Sequence, residues 1–550
     1  MRIMTVAETQ ALESVSDAAG HSYEAMMDRA GSAVALAIQQ RRSVSGRHVL
    51  VLVGPGHNGG DGLVAGRRLA ERGAIVTAYL VRPRDEAEDP VYSAAIASKV
   101  RIQTAGEDES SELLKSQAAA ADIIIDALLG TGATPPLRGA LATVIATVQS
   151  SLAGLGATPL TYVVRGQLPG RRPLIVAVDG PSGLDFDTGE IDDGALQADM
   201  TVTFATPKWG HCRMPGAAKV GELVIADIGI PETVEIPAGP ELATPGLVGG
   251  WLPKRSIDAH KGTFGKALIV AGSANYTGAA ILAARAAVRA GTGLVTLGTP
   301  SSLHSAVVPA MPEVTYLLLP HSLGVLNQHA APVVREHAAG YSAMLIGPGL
   351  GNTSESQAFL TALLGSSGQK RSTGFIKSEH GATPDPDLPP LVVDADGLNI
   401  LATMSGWAQR LPKGSILTPH PGEMSRLTGL STQEVQGDRL EIAREWADKW
   451  EHIVVLKGAF TVVAAPGRQP IVLPFANSGL SSAGTGDVLA GTIVALRAQG
   501  LDAFPTAVAG AYVHGLAGEI ATIRFGAAGT AATDVVGALP AALRRLMPEA

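Results

Sequence analysis

Short apolar runs alternate with helix-like segments through the first part of the chain. Residues 1 to about 40 are predicted to be helical, because apolar positions recur every three or four residues in YEAMMDRAGSAVALAIQQ. After them come predicted strands, namely HVLVLV, AIVTAYLV, DIIIDALLG, LIVAVDG, MTVTFA and ELVIADIGI. Strands that alternate with helices indicate right-handed βαβ units and a mainly parallel sheet.

A second series of the same kind follows a stretch rich in Pro and Gly, IPETVEIPAGPELATPGLVGGWLP. Its predicted strands lie in GKALIVAG, GLVTLGT, AMLIGPGLG, LVVDADGLNIL, SILTPHPGE and HIVVLKG. The pattern predicts two α/β domains, residues 1–235 and 251–545, joined by a linker at 236–250. Residues 151–172 and 365–390 lack a period and carry many turn residues, so they are predicted to be surface insertions.

Composition agrees with a globular protein of more than one domain. The chain has 550 residues, of which 46% are hydrophobic and 4% aromatic, with 65 glycines. A net charge of -8 argues against nucleic-acid binding, which needs clustered Lys and Arg. Glycine and alanine richness with an acidic surface is compatible with a homo-oligomer but does not require one.

The cellular location is predicted from what the chain contains. The single cysteine, Cys212, excludes an intrachain disulfide and a Cys-rich zinc site, and it suits a reducing compartment. The N-terminal residues lack a continuous apolar segment, and the longest apolar stretches carry charges such as Arg285 and Asp487. We therefore expect no secretory signal, no membrane partner and a cytoplasmic location.

The first stretch that carries chemistry is VGPGHNGGDGLVAGRRLAERG, residues 53–73, between a predicted strand and a helix. Its glycines allow backbone N–H groups to approach an anion at the helix N-terminus. Asn58 and Asp61 add side-chain oxygens. A dinucleotide-binding loop is the competing interpretation: Gly54, Gly56 and Gly59 meet its spacing, but the acid expected about 20 residues later is not clear.

Two further strand ends carry polar residues. Asp126 ends one predicted strand, and Asp179 and Ser182 follow another. Because the carboxyl ends of parallel strands share one sheet edge, we expect these residues to meet Asn58 there. Asn58, Asp126 and Ser182 offer oxygens to a hard cation, and their single carboxylate suits a monovalent ion better than magnesium. The alternative is that each Asp caps a turn or a helix.

The second such stretch is NSGLSSAGTGDVLAGTIVAL, residues 477–496. Small residues precede Asp487 at the start of an apolar helix, where backbone amides can stabilise a phosphoryl group and a carboxylate can accept a proton. In VVLKGAFTVV a predicted hairpin brings Lys457 near phosphate, and in TPHPGEMSRLTG His420 stands in a rigid loop. Alternatively Asp487 is a first-turn acid, Lys457 an ordinary strand-end lysine and His420 structural. There is no P-loop motif.

The first half resembles the NAD(P)H-hydrate epimerase family through GPGHNGGDGLVAGRRL, DALLGTG, VDGPSGLDFDTG and TFATPKWG. The resemblance covers residues 1–235 and implies a Rossmann-like three-layer α/β/α domain. It implies Asp179 as the catalytic acid/base and a potassium ion held by Asn58, Asp126 and Ser182. It also implies substrate contacts from His57, Asn58, Gly59, Gly60, Asp61, Gly130, Thr131, Gly132, Ala133, Thr134, Pro135, Pro136 and Asp179. The family usually has Asn where this chain has His57, and the segment between Asp126 and Asp179 is longer here.

The second half resembles the NAD(P)H-hydrate dehydratase family, whose fold is ribokinase-like, over about residues 245–545. The shared segments include IGPGLG, VVDADGLNIL, LTPHPGE, VLKGAFT and AGTGDVLAG. The resemblance implies ADP with Mg²⁺ and Asp487 as the catalytic base. It implies substrate contacts from Ala279, Gly349, His420 and Asp487, and nucleotide contacts from Lys457, Gly458, Ala459, Phe460, Thr461 and Gly486. Ala483 stands where the family typically has glycine, and Ala tolerates a positive φ poorly.

Together the two resemblances predict a bifunctional repair enzyme for hydrated nicotinamide cofactors, NADHX and NADPHX. Its first domain would interconvert the R and S epimers at C6, and its second would dehydrate the S epimer with ADP, releasing AMP and phosphate. The alternative is a small-molecule kinase of the ribokinase group fused to a non-catalytic nucleotide-binding module. A stable phosphorylated product, instead of restored NADH, would indicate the kinase.

Overall fold

The structure, a computed structural model, describes residues 1–132, 134–154, 172–365 and 388–547. Ala133 and nearly all of the two predicted insertions, 151–172 and 365–390, lie outside the described residues. The chain divides into two compact units, Met1–Ala238 and Gly239–Ala550.

The first unit alternates strands and helices as the apolar pattern predicts. Its strands are β1 (His48–Val53), β2 (Ile75–Leu80), β3 (Arg101–Thr104), β4 (Ile123–Ala127), β5 (Leu174–Val178), β6 (Met200–Phe204) and β7 (Glu222–Ala226). Its helices are α1 (Val6–Ala18), α2 (Tyr23–Gln39), α3 (His57–Ala70), α4 (Pro90–Ala97), α5 (Glu112–Ala120), α6 (Gly139–Gly154) and α7 (Ala217–Val220). Thr5 and Glu8 form a capping box that fixes the start of α1.

The seven strands form one parallel sheet in the order β3-β2-β1-β4-β5-β6-β7. Alternate residues of β1 enter different cores, since Val49 and Val51 pack with α2 and α3 whereas Leu50 and Leu52 pack with α5 and α6. Helices therefore cover both faces, which is the three-layer arrangement predicted from the sequence. The strand order reverses at β1, next to β4, where open α/β sheets bind ligands at their carboxyl edge.

The second unit is a larger α/β structure. Its strands are β8 (Glu241–Leu242), β9 (Lys266–Val270), β10 (Leu294–Pro300), β11 (Thr315–Leu319), β12 (His321–Ser322), β13 (Val325–Leu326), β14 (Ala343–Ile346), β15 (Leu391–Val393), β16 (Ile416–Leu417), β17 (Ile453–Leu456), β18 (Val462–Ala464) and β19 (Ile471–Val472). Its helices are α8 (Pro245–Trp251), α9 (Thr277–Arg289), α10 (His304–Val307), α11 (Ala330–Ala338), α12 (Ser354–Leu364), α13 (Asp396–Leu401), α14 (Pro421–Thr428), α15 (Thr432–Gly437), α16 (Arg439–Trp450), α17 (Thr485–Ala498), α18 (Ala503–Phe525) and α19 (Ala532–Leu546).

Ten of these strands form a sheet in the order β11-β10-β9-β14-β15-β16-β17-β18-β19-β8. The run from β11 to β17 is parallel, and β17-β18 and β18-β19 are antiparallel hairpins. The β17–β18 pair is the hairpin predicted around Lys457. The carboxyl ends of β14 to β17 therefore face one edge, where the second predicted site falls.

Part of the predicted linker belongs to the second unit. Residues 236–250 were expected to connect the domains, but 241–242 form β8, which pairs with β19, and 245–251 form α8. Thr244 caps α8 by accepting a hydrogen bond from Leu247 N, and Pro245 occupies the first helical position. Strand β8 was not predicted because its two residues are too few to show an alternating pattern and stand among turn-forming residues.

Small residues allow the helices of the second unit to pack closely. The buried face of α9 is formed by Ala280, Ala283, Ala284, Ala286 and Ala287. A Cβ on Gly491 of α17 would overlap the carbonyl oxygen of Ala283, so the two backbones touch. Among the described helices, none combines the length and apolar character needed to cross a membrane.

Candidate functional site

The glycine-rich loop joins β1 to α3 at the carboxyl edge of the first sheet. A Cβ on Gly54 would overlap the carbonyl oxygen of Leu128, and a Cβ on Gly59 would overlap that of Gly54. Arg84, which follows β2, donates from Nη2 to the carbonyls of Gly54 and Gly56, both at 2.9 Å. Glycine packing and one guanidinium together fix the loop.

The three predicted cation ligands meet next to this loop. Ser182 donates from Oγ to Asp126 Oδ1 at 2.6 Å and from its backbone N to Oδ2 at 2.9 Å. Leu129 N donates to Ser182 Oγ at 3.0 Å, and Asn58 Nδ2 donates to the Leu129 carbonyl at 2.9 Å. The pKa of Asp126 is raised overall, because burial raises it more than the hydrogen bonds from Ser182 and Leu128 lower it. The structure therefore brings one carboxylate, one hydroxyl and one amide together.

Asp179 directly follows β5 and has a φ of 63°, a left-handed backbone that non-glycine residues adopt rarely and often at functional sites. Its Oδ1 accepts hydrogen bonds from Lys208 Nζ at 2.6 Å and from Thr203 Oγ1 at 2.8 Å. Lys208 is 1% exposed. The Asp179 carboxylate and the Lys208 ammonium thus form a buried ion pair.

The pKa of Asp179 follows from this environment. Burial alone would raise it, but the Lys208 charge and the hydrogen bonds outweigh burial and hold the pKa below its ordinary value. His211 donates from Nε2 to the Asp179 carbonyl at 2.8 Å, since its Nδ1 accepts the Lys208 N–H at 3.0 Å. Burial and Lys208 lower the pKa of His211 to about 4, so the ring is neutral and the compensating cation is Lys208. The Asp179 carboxyl is therefore held in its ionised form.

A cavity of about 310 Å³ adjoins the glycine-rich loop. His57 and Asp61 of the predicted loop line it, together with Glu13 from α1 and Phe204 at the end of β6. The Phe204 carbonyl also accepts a hydrogen bond from Lys208 Nζ at 3.2 Å. The cavity therefore lies beside the groups that hold Asp179.

The second predicted glycine loop starts at the same edge. Gly130 packs against Asn58, since its added Cβ would lie 3.2 Å from Asn58 Oδ1. The other described members of this loop follow β4 in chain order: Thr131, Gly132, Thr134, Pro135 and Pro136. Ala133 lies outside the described residues. Within the described range the two loops meet, as the parallel topology predicts.

In the second unit, three strand ends bring charged groups together. Lys457 follows β17 and donates from Nζ to Asp394 Oδ1 at 2.7 Å, and it lies 3.6 Å from Glu423 Oε2. Asp394 follows β15 and also accepts a hydrogen bond from Thr418 Oγ1, after β16, at 2.7 Å. Burial opposes the Lys457 charge, but Asp394 and Glu423 outweigh burial and raise the pKa of Lys457. This lysine is a partly buried cation between two carboxyl groups.

Asp487 lies in the first turn of α17, above that ion pair. A Cβ on Gly486 would lie 3.7 Å from Lys457 Nζ and 4.0 Å from Asp394 Oδ2. Burial and the Asp394 charge raise the pKa of Asp487 to about 7, although Lys457 lowers it. A carboxyl group that titrates near neutral pH is suited to accept a proton from a hydroxyl.

Gly484 takes the left-handed backbone at the start of α17, with a φ of 89°. Ala483 is not among the described residues with positive φ. The position that demands glycine is therefore still a glycine, and the alanine that departs from the family pattern falls on ordinary backbone.

His420 has the structural role weighed from the sequence, and part of its ring stays exposed. Its Nδ1 accepts N–H groups from Gly422 at 3.0 Å and Glu423 at 3.3 Å, which caps α14. Its ring is half exposed, with Nε2 3.5 Å from Glu423 Oε1. Burial and the Lys457 charge lower the pKa of His420. The ring is rigidly held, and its exposed part can meet a ligand.

Gly349 and Ala279 are neighbours in this unit. Gly349 has a φ of 61°, and a Cβ on it would lie 2.9 Å from Ala279 Cβ and 2.8 Å from the Tyr276 carbonyl oxygen. Gly349, in the loop after β14, and Ala279, near the start of α9, therefore lie side by side. Both were predicted to contact the substrate. Tyr276, which caps α9, is 55% exposed beside them.

The predicted nucleotide segment 457–461 is the turn between β17 and β18. Arg439 supports it from α16, donating from Nη2 to the carbonyls of Leu456 at 2.8 Å and Lys457 at 3.2 Å. Thr461 Oγ1 donates to the Gly458 carbonyl at 2.9 Å. Gly458 and Ala459 are exposed, so the turn is accessible.

Sequence reasoning missed several residues that the structure places in these sites. They are Glu13, Arg84, Thr203, Lys208 and His211 in the first unit, and Asp394, Thr418, Glu423 and Arg439 in the second. Lys208 lies in TFATPKWG and Asp394 in VVDADGLNIL, each at or near the end of a predicted strand. That position could have identified both as candidate site residues. Glu13 and Arg439 stand on helices outside those motifs, so nothing in the sequence marked them.

Comparisons with known proteins agree with this two-site architecture. The family model described as "YjeF-related protein N-terminus" matches residues 23–210, and the model described as "NAD(P)H-hydrate dehydratase" matches residues 267–541. The fold and sites thus define a fused two-domain α/β enzyme.

Similarity extends over nearly the whole chain. The bifunctional NAD(P)H-hydrate repair enzyme of Moorella thermoacetica is 36% identical over 534 residues, covering 95% of this chain and 93% of that protein. The Escherichia coli enzyme of the same name is 32% identical over 531 residues, covering 95% and 90%. The chain belongs to the family of bifunctional NAD(P)H-hydrate repair enzymes.

A solved structure, the ADP/ATP-dependent NAD(P)H-hydrate dehydratase of Bacillus subtilis co-crystallised with ATP and Mg²⁺, is also similar. It is 32% identical and covers 56% of this chain and 100% of its own, with a TM-score of 0.45. The predicted family, fold class and enzyme class are confirmed. The roles of individual residues stay predictions.

Proposed function

We propose that the first unit interconverts the R and S epimers of hydrated NADH and NADPH, and that the second dehydrates the S epimer with ADP. The observation that carries this assignment is the contrast between two aspartates, the buried Asp179 at the end of β5 and the partly buried Asp487 in the first turn of α17. Asp179 is held ionised by Lys208, whereas the pKa of Asp487 is raised to about 7. Each state suits the proton transfer that its reaction needs.

In the first unit, Asp179 is the acid/base group. Water that has added across C5 and C6 leaves a hydroxyl on the carbon next to the ring nitrogen, so C6 is a hemiaminal carbon. Such a carbon inverts when loss of the hydroxyl proton opens its bond to the ring nitrogen and the ring closes again on the other face of the carbonyl. The N-terminus of α3 and the two glycine loops bind the phosphate-bearing part of the substrate. The cavity beside His57 and Asp61 receives the hydrated ring.

Potassium is proposed to bind between the two loops. Asn58, Asp126 and Ser182 would hold it, and it would supply a fixed positive charge close to the substrate. The donor set fits a monovalent cation because it contains one carboxylate. Among the described residues, none donates a hydrogen bond to Asn58 Oδ1, so this oxygen of a side chain 9% exposed is free to bind an ion.

In the second unit, Asp487 takes the proton from the C6 hydroxyl, whose oxygen attacks the terminal phosphorus of ADP while AMP leaves. The ring nitrogen then expels phosphate from C6, and C5 loses a proton to restore the double bond. Backbone N–H groups from Gly484 to Gly486 and the Lys457 ammonium would stabilise the phosphoryl group in transit. Phosphate leaves more easily than hydroxide, which explains why a dehydratase uses a nucleotide.

Magnesium is proposed to enter with the nucleotide. In the described ranges, no cluster of three or more His, Cys, Asp or Glu side chains is arranged to hold a metal ion. Mg²⁺ is commonly bound through substrate phosphates with few protein ligands. It would neutralise phosphate charge during transfer.

The test compares Asp179→Asn and Asp487→Asn in the full chain. With Asp179→Asn, use of the R epimer should collapse while use of the S epimer survives; with Asp487→Asn, both should be lost. General acid/base groups contribute about 10²- to 10⁴-fold. Asp227→Asn is the control, since this exposed carboxyl only accepts the N–H of Gly229 in a turn. An unchanged R-epimer rate in Asp179→Asn would exclude Asp179.

We also propose that the protein works in the cytoplasm and self-associates. The single cysteine suits a reducing compartment, and a chain rich in glycine and alanine with an acidic surface is compatible with a homo-oligomer. Light scattering of the purified full chain measures the mass, and a monomer at micromolar concentration would contradict self-association.

A further inference from the structure

Three carboxyl groups, those of Asp61, Glu13 and Glu24, line the proposed epimerase cavity. Asp61 lies in the first turns of α3 and is 8% exposed, and Glu13 comes from α1. In the described part of the chain, no group donates a hydrogen bond to the Asp61 carboxyl. The family model matches residues 23–210, so Glu13 lies outside the part of the chain that the model covers. A carboxyl that is nine-tenths buried, unpartnered and directed to a cavity requires a ligand or a proton.

The local charges decide which carboxyl carries the proton. Lys208, the cation of this group, is bound directly to Asp179 and not to Asp61. Burial, then the charges of Asp179 and Glu13, raise the pKa of Asp61 well above its ordinary range. Burial also raises the pKa of Glu13, with Asp179 adding to it and Lys208 opposing it. The two environments therefore shift the pKa values in opposite directions, lowering that of Asp179 and raising that of Asp61. Opposite shifts of this kind are typical of a base and an acid that act in one site.

We propose that Asp61 is the proton donor of epimerisation, opposite Asp179 as the proton acceptor, and that Glu13 is a positioning residue that keeps Asp61 protonated. This inference rests on the proposed epimerase function of the first unit. Asp61 of α3 lines the cavity itself. Asp179, at the end of β5, lies next to the cavity wall, because Lys208 Nζ donates both to its Oδ1 at 2.6 Å and to the carbonyl of the wall residue Phe204 at 3.2 Å.

The step balances without any co-reactant. Asp179 takes the proton of the C6 hydroxyl, C6 becomes a carbonyl, and the bond from C6 to the ring nitrogen breaks. The electron pair goes to that nitrogen, which receives the proton of Asp61. Rotation about the bond from C5 to C6 presents the other carbonyl face. Ring closure then returns one proton to Asp61 and the other from Asp179 to the oxygen, giving the opposite epimer.

The primary test is Asp61→Asn in the full chain, followed as R-epimer consumption with excess ADP and Mg²⁺, after subtraction of the rate without protein. Asn has nearly the same shape but cannot release a proton to nitrogen. We expect kcat for the R epimer to fall at least about 100-fold, with KM changed by less than about threefold and S-epimer turnover retained. Loss of substrate binding alone would instead raise KM and leave kcat.

The second test uses Glu13→Gln, which leaves Asp61 in place and does not depend on the folding of the first variant. The remaining ionisable groups that line the cavity are His57, Tyr23 and Glu24. In the wild type, R-epimer kcat/KM should fall at high pH as Asp61 loses its proton. Removing the Glu13 charge should move this basic limb to lower pH. Asp17→Asn, an exposed carboxyl on the same helix, is the matched control and should leave the limb in place.

The outcomes separate the two proposals. If the wild type never consumes the R epimer, the proposed epimerase function itself fails. If the wild type does so and Asp61→Asn keeps more than a tenth of its kcat, Asp61 is not the donor. If the basic limb stays fixed in Glu13→Gln, or moves equally in Asp17→Asn, the role of Glu13 is refuted.

Discussion

The dehydratase reaction should depend on pH through Asp487. The carboxyl acts as a base only when ionised, and burial with the neighbouring Asp394 charge raises its pKa to about 7. A base of that pKa is about one-tenth ionised at pH 6 and nine-tenths at pH 8, so kcat/KM should rise about tenfold between them. An aspartate of ordinary pKa would be fully ionised over this range and would give a flat profile.

The perturbation that tests the cause is Asp394→Asn. It removes the largest charge that raises the Asp487 pKa, and it frees Lys457, which Asp394 holds at 2.7 Å, to interact with Asp487. Both effects favour the ionised form of Asp487, so the acidic limb should move to lower pH. Glu445→Gln removes the same charge from an exposed face of α16 and serves as the control.

The assay is the near-ultraviolet absorbance of restored NADH from purified S epimer, with saturating ADP and Mg²⁺, across the pH range. Because kcat/KM reports ionisations of the free enzyme, the nucleotide must be saturating before the S epimer is added. A flat profile in the wild type would refute the assignment of Asp487 as a base of raised pKa. A limb that stays fixed in Asp394→Asn would refute the electrostatic cause.

Other predictions concern single residues of the first unit. Lys208→Met should cost about 3–5 kcal/mol in urea unfolding because it strands the buried Asp179 charge, whereas Lys115→Met at an exposed pair should cost under about 1 kcal/mol; equal losses would contradict the buried-pair argument. Ser182→Ala should reduce stimulation of R-epimer use by potassium, measured against sodium at equal ionic strength, and unchanged stimulation would remove Ser182 from the cation site. Cys212 should resist thiol reagents in the folded protein and react on unfolding, because burial raises its pKa to about 12; rapid labelling of the native chain would contradict this.

Much of the fold was predictable because it depends on local patterns. Apolar runs such as HVLVLV became β1 with every residue after His48 buried, and the turn signals after them marked the carboxyl edge. The residues predicted to gather there do so: Ser182 donates directly to Asp126, and Asn58 joins them through the backbone of Leu129. The linker was harder, because β8 has two residues and its pairing with β19 depends on a strand 230 residues further along the chain.

The charge state of each site was not predictable. Asp179 and Asp487 are both acids next to a glycine in the sequence, Asp179 after an apolar run and Asp487 before one. Their pKa values move in opposite directions because Lys208 contacts Asp179 directly, whereas Asp487 lies by Asp394, whose charge Lys457 already binds. Lys208 pairs with Asp179, and Lys457 pairs with Asp394, only because the sheets bring their strand ends together.

The sequence by itself determined the alternation of strands and helices, the two α/β units and the loops that carry the chemistry. The spacing of apolar residues determines the strands and helices, and glycine determines the loops; both effects act over a few neighbouring residues. Only the tertiary structure decided that Glu13 and Asp61 face one cavity, and that Arg84 and Arg439 support loops from other elements. Burial and the pairing of distant charges set proton affinity, and both exist only once the chain is folded.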